Sequence, residues 1–144
     1  MHCGKIIFTG QIPNLKKRVL RQWIFETITR FNKTPGFISI NIVDDYTLLD
    51  INQQFLKHNV LTDIITFDYS EGHVINGELF LSIDRIKENA KKFKVKLEYE
   101  LARVLIHGIL HLLGFMDSDL KEKEKMTNEE NKALENLFKK NCFT

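Results

Sequence analysis

Residues 107–117 read HGILHLLGFMD, a mostly apolar stretch that carries two histidines four positions apart, a glycine and an aspartate. Helix positions four apart are neighbours on one face, one turn on. His107 and His111 can therefore aim at one point about 2.0 Å from each ring nitrogen, the usual zinc–nitrogen distance. Gly114 follows, and a glycine there tolerates the left-handed conformation that ends a helix and turns the chain back. Asp117 can then reach the same point from the other side. Three protein ligands leave one position of a tetrahedral ion open for water, which a catalytic site needs and a structural site does not. A blander reading competes. The histidines can be a packed or surface pair, Gly114 an ordinary helix stop, and Asp117, Ser118 or Asp119 an N-cap for a following helix. It leaves unexplained two imidazoles in a segment whose other residues are nearly all apolar. Together the three spaced ligands favour a metal site.

The same spacing, His-x3-His-x2-Gly-x2 and then a third ligand, occurs in one class of zinc proteases. Those enzymes carry glutamate directly after the first histidine, as general base. Here that residue is Gly108, which argues against peptide hydrolysis. A bound metal could still activate water, whose pKa zinc brings down to about 7.

The rest of the chain must position these residues. At 144 residues, 43% hydrophobic and 28% charged, it suits one domain, residues 1–144, with a core of its own. Residues 5–11 and 37–45 have strand character, as do 63–69 and 78–84. Residues 15–31 repeat helically, with Asn14 a candidate cap and Leu15, Val19, Trp23, Ile24 and Ile28 on one side. Residues 47–58 form a second helix with Leu48, Ile51 and Phe55 inward, and Asp84 can cap a third over 86–93. Residues 97–114 form the most apolar helix, and a charged amphipathic helix closes the chain. NKTPG at 32–36, SEG at 70–72 and Asn76-Gly77 read as turns. The order fits an α+β domain, a mixed sheet of about four strands surrounded by helices.

Cys3 and Cys142 are the only cysteines. They lack zinc-pair spacing and suggest a reducing compartment. With no apolar run of signal-peptide or membrane-spanning length, the expectation is a cytoplasmic protein without a membrane partner. The net charge of +2 and pI of about 8.5 permit nucleic-acid binding without demanding it.

HGILHLLGF closely resembles the H-G-x-L-H-L-x-G-Y-D-H signature of the YbeY family of bacterial rRNA-maturation endoribonucleases. LTDIITFDY (61–69) resembles that family's P-T-D-V-L-S-F-P block, and GELFLSIDRIKENA (77–90) its G-D-I-x-I segment and following helix. The resemblance implies a compact domain with a zincin-like metal-binding helix. It implies one zinc ion and endonucleolytic cleavage of single-stranded RNA. It further implies roles in maturing the 3′ end of small-subunit rRNA and in ribosome quality control, with that rRNA and the ribosome as partners. The family's first two metal histidines fall on His107 and His111, and its third on Asp117. A carboxylate is a competent zinc ligand, though its charge weakens the Lewis acid and can admit manganese or magnesium. The family's Tyr-Asp becomes Phe115-Met116. Its arginine, six residues before the Thr of the second block, falls on Leu56; Lys57 and His58 follow and are candidates to supply the cation in catalysis. The prolines flanking that block are Leu61 and Asp68 here.

Other residues carry open readings. Glu100 lies two turns before His107 and either fixes the tautomer of that ring or pairs with Arg103 or Lys96. Thr62 and Asp63 either line a cleft or cap a turn, while a hairpin position suffices for Glu78. Lys16, Lys17, Arg18 and Arg21 give the first helix a basic side for RNA phosphates, or a solvated face. The expectation is a zinc-dependent endoribonuclease. Its rivals are a ribosome-associated RNA-binding protein with a structural metal and another metallohydrolase.

Overall fold

The computed structural model describes residues 4–56 and 62–144. The chain runs β1 (Lys5–Thr9), α1 (Lys17–Arg30), β2 (Thr34–Val43), α2 (Asp45–Phe55), β3 (Ile64–Asp68), β4 (Val74–Ser82), α3 (Ile83–Phe93), α4 (Leu97–Leu112) and α5 (Leu120–Phe138). The four strands lie in the order β1-β2-β4-β3. β1, β2 and β4 are parallel, and β3 joins β4 antiparallel at one edge. This is the expected α+β domain with a mixed sheet.

α4 is the central element. It is apolar nearly all round and buries Leu101, Ala102, Val104, Leu105, Ile106, Ile109 and Leu110 among the sheet, α3 and α5; a helix hydrophobic on every side belongs in a core. Its approach to the sheet is close at two glycines. A Cβ on Gly108 would lie 2.7 Å from both Ile64 Cδ1 and Leu79 Cδ2, and one on Gly77 would lie 2.7 Å from Leu112 Cδ1. This overturns the reading of Asn76-Gly77 as a turn. Both residues lie inside β4, which begins at Val74 rather than at 78. Gly77 is there for helix–sheet contact, and the Asn76 side chain accepts a hydrogen bond from the Phe37 backbone at 2.8 Å, beside the register shift between β2 and β4. The β3–β4 turn is at Glu71–Val74, closed by two 3.0 Å backbone hydrogen bonds around Gly72, whose φ is +60°.

Several boundaries also differ from the sequence reading. Asn14 does not cap α1. It sits at φ +59° and donates to Glu98 at 2.8 Å, and Leu15 is buried before the helix starts, bridged to Phe143. Thr34, Pro35 and Gly36 belong to β2 instead of a turn. α2 is capped by Asp44, which accepts from Thr47 N at 2.8 Å, and Phe55 is 66% exposed rather than inward. α3 is capped by Ser82, not Asp84.

Candidate metal centre

α4 presents His107 and His111 on its one face that is not sealed; their side chains are 21% and 27% exposed. The helix then ends in a Schellman turn. Gly114 N donates to His111 O and Phe115 N to Leu110 O, each at 3.0 Å, and Gly114 takes φ +100°, which glycine alone adopts without strain. The turn sends the chain back past the histidines and brings Asp117 over them. His107 Nε2 and His111 Nε2 lie 3.0 Å apart. Asp117 Oδ2 is 3.4 Å from the first and 3.6 Å from the second. These three residues form a group whose donor atoms all lie within 4.8 Å of one another and could hold a metal ion.

The donor set fits a small divalent cation. Tetrahedral ligation with bonds of about 2.0 Å sets ligand–ligand separations of about 3.3 Å, and the three measured edges straddle that value. Three lone-pair donors facing one another at these distances repel unless a proton or cation lies among them. His107 is oriented by Glu130 of α5, whose Oε2 is 2.6 Å from His107 Nδ1. A proton on Nδ1 leaves Nε2 free to accept or to ligate.

The electrostatics separate the two rings. Burial opposes protonation of His107, but the hydrogen bond and charge of Glu130, with the charges of Asp117 and Asp63, outweigh it and raise its pKa above the ordinary imidazole value. Burial and the neighbouring His107 together lower that of His111, against the pull of Asp117. Burial also raises the pKa of Asp63, offset in part by Arg103 and His107.

The histidines and Asp117 open onto a cavity of about 480 Å³, lined also by Thr62, Asp63, Thr66 and Asp68. Thr62 and Asp63 thus line the cleft. None of the described lining residues is a lysine or an arginine. Lys57 and His58 lie outside the described residues. The basic residues of α1 are not gathered here: Arg21 donates to Ile6 O of β1 at 3.0 Å and stacks over Phe8, and Lys16 N donates to Cys142 O. Arg21 therefore sits against β1, Lys17 lines a separate cavity with Gly10, Gln11 and Ile42, and none of Lys16, Lys17, Arg18 and Arg21 lines the cavity at the histidines. Glu78 sits within β4, paired with Phe67 and Ser39.

Glu100 does not touch His107. Its two oxygens hold Arg103 at 2.9 and 2.6 Å, the pairing that the sequence left as one alternative. Glu130 was not singled out from sequence. Its signal is periodicity: the buried residues of α5 are Met126, Glu130, Ala133, Leu134 and Leu137, so a glutamate occupies a core-facing position.

The cap alternative for Asp117 falls to Asp119, whose side chain accepts from Glu122 N at 2.8 Å and caps α5. Asp119→Ala should therefore cost about 1 kcal/mol of stability, read from the denaturant midpoint, and leave metal affinity unchanged. Asp117→Ala should do the reverse, sparing the metal-free fold and weakening zinc binding measured against a competing chelator.

The chain is similar to known proteins over most of its length. Residues 8–138 match the family described as Endoribonuclease YbeY. Proteins of that name from Porphyromonas gingivalis and Bacteroides thetaiotaomicron are 43% and 44% identical over 123 and 124 residues. The matches cover 85% and 86% of this chain, and 82% and 90% of theirs. A protein of Thermotoga maritima with a known solution structure superposes with a TM-score of 0.68 at 26% identity, covering 93% of this chain and 89% of its own. By sequence across most of its length and by fold, the chain belongs to the Endoribonuclease YbeY family.

Proposed function

We propose that this chain acts as an endoribonuclease, as its family name states, and that its activity depends on a bound metal. We assign it to cleavage of single-stranded RNA in maturation of the small-subunit rRNA 3′ end and in ribosome quality control. The observation that carries the reading is the convergence of His107, His111 and Asp117 on one point at the mouth of an open cleft. Two imidazoles and one carboxylate at tetrahedral separations favour zinc over magnesium or calcium, which prefer oxygen ligands in larger coordination shells. A divalent cation bound there supplies Lewis-acid charge to the scissile phosphodiester and acidifies water.

The protein's own residues set the conditions. Asp63, Asp68 and Asp117 make the cleft acidic, so an RNA phosphate enters only against a compensating cation. That requirement makes RNA binding in the cleft metal-dependent. Lys57 and His58 precede Thr62 in the chain and are assigned to orient the RNA. Lys16, Lys17, Arg18 and Arg21 are assigned to backbone contacts away from the cut. Three donors among the described residues and an open face suit a catalytic ion better than a structural one, which counts against a binding protein with a structural metal. Gly108, where a Cβ already lies 2.7 Å from Ile64 and Leu79 and a longer side chain has no room, counts against a peptidase.

The test is reconstitution. Purified protein stripped of metal is offered a labelled single-stranded RNA and the same sequence as a duplex, with and without one equivalent of zinc. Cleavage should appear only with metal and only on the single strand. Equal cleavage by the stripped protein would reject the proposal.

A further inference from the structure

α5 is a strongly charged helix whose other glutamates are exposed or partly exposed, yet it buries one carboxylate. Glu130 is 5% exposed, Glu100 on α4 is 1% exposed, and Arg103 lies between them. A buried carboxylate is costly unless charged or hydrogen-bonding partners meet it. Glu130 has both its oxygens engaged: Oε2 with His107 Nδ1 at 2.6 Å and Oε1 with Arg103 at 3.6 Å. The shorter contact is to the histidine. Arg103 is itself clamped by the bidentate pair with Glu100, which raises its pKa, so it remains a fixed positive charge behind the glutamate. Glu100, Arg103, Glu130 and His107 thus form a chain of contacts leading from the core to the point where the three donors meet.

We propose that Glu130 is the positioning residue of the metal centre: it holds the proton of His107 on Nδ1 and aims Nε2 at the cation, with Arg103 and Glu100 fixing the plane of its carboxylate. This rests on the metal reading of His107, His111 and Asp117. The consequence is a division of labour between two segments. α4 and its Schellman turn supply the ligands, and α5, which follows directly from Asp117, supplies the group that sets one ligand's protonation site.

Two measurements test this. The first is the tautomer of His107 in metal-free wild-type protein, read from its ring ¹⁵N shifts above pH 8; the second is zinc affinity by chelator competition. The wild type should show His107 with its proton on Nδ1. Glu130→Ala should lose that signature and bind zinc about 10–100-fold more weakly. Glu130→Gln, whose amide oxygen still accepts a hydrogen bond, should keep the tautomer and fall between. A purely structural Glu130 would alter stability without moving the His107 tautomer. A proton found on Nε2 of His107 in the wild type, or zinc affinity of Glu130→Ala within twofold of wild type, would overturn the assignment. The wild-type tautomer needs no variant to fold. A wild type that binds no divalent cation would overturn the metal reading beneath the proposal; an Nε2 tautomer in a protein that does bind zinc would overturn the role of Glu130 alone.

Discussion

His111→Ala should leave a folded protein that no longer retains stoichiometric zinc and has lost RNA cleavage by more than ~100-fold, beyond the usual effect of removing a group that merely supports a ligand. His111 supplies one of three donors, and two donors cannot hold the cation in the same geometry. The side chain is partly exposed, so its removal opens no sealed cavity, and the metal-free melting midpoint should shift by the equivalent of no more than about 1 kcal/mol. Elemental analysis, calorimetry and cleavage assays on wild type and variant together check this. Full activity in a folded His111→Ala protein would remove the metal from the mechanism.

Gly108→Glu should fail to give soluble, cooperatively folded protein. The glutamate of zinc peptidases occupies this position, so the substitution is the direct attempt to convert the site. The structure leaves no space for it: the first side-chain atom meets Ile64 and Leu79 at 2.7 Å, and the remaining atoms would push a carboxylate into packed hydrocarbon. Overpacking alone costs about 1–3 kcal/mol, and an unpaired buried charge costs several more. Gly108→Ala is the graded control. It gains about 1 kcal/mol of helix propensity against the same two methyl groups, which are the flexible ends of their side chains, so its net effect should be small. Soluble expression and thermal unfolding followed by circular dichroism measure both. A Gly108→Glu protein melting at the wild-type temperature would show that α4 stands further from Ile64 and Leu79 than the 2.7 Å Cβ approach allows.

What could be read from the sequence follows a physical divide. His107, His111, Gly114 and Asp117 were legible because helix periodicity and one glycine turn fix their relation over a short span, with no knowledge of the rest of the fold. The mixed sheet was legible for the same reason, since strand and helix patterns are local. Glu130 was not, because it meets His107 across 23 residues of sequence and sits in a helix where it is the one buried charge among many exposed or partly exposed ones. Asn76-Gly77 was misread because a glycine needed for tertiary contact carries the same local signal as one needed for a turn. Ser82 rather than Asp84 caps α3 because β4 runs straight into the helix, and only the three-dimensional path decides which polar residue sits at the junction. Phe55 was expected inward from its spacing, but α2 buries only Leu48 and Asn52, and the ring sits edge-on to Phe67 instead.

The most direct test of the central claim is anomalous diffraction at the zinc edge from crystals of protein loaded with one equivalent of zinc. A single strong peak is expected about 2.0–2.2 Å from His107 Nε2, His111 Nε2 and an Asp117 carboxylate oxygen. A peak held by other residues, or those three side chains turned away from a common point, would contradict it.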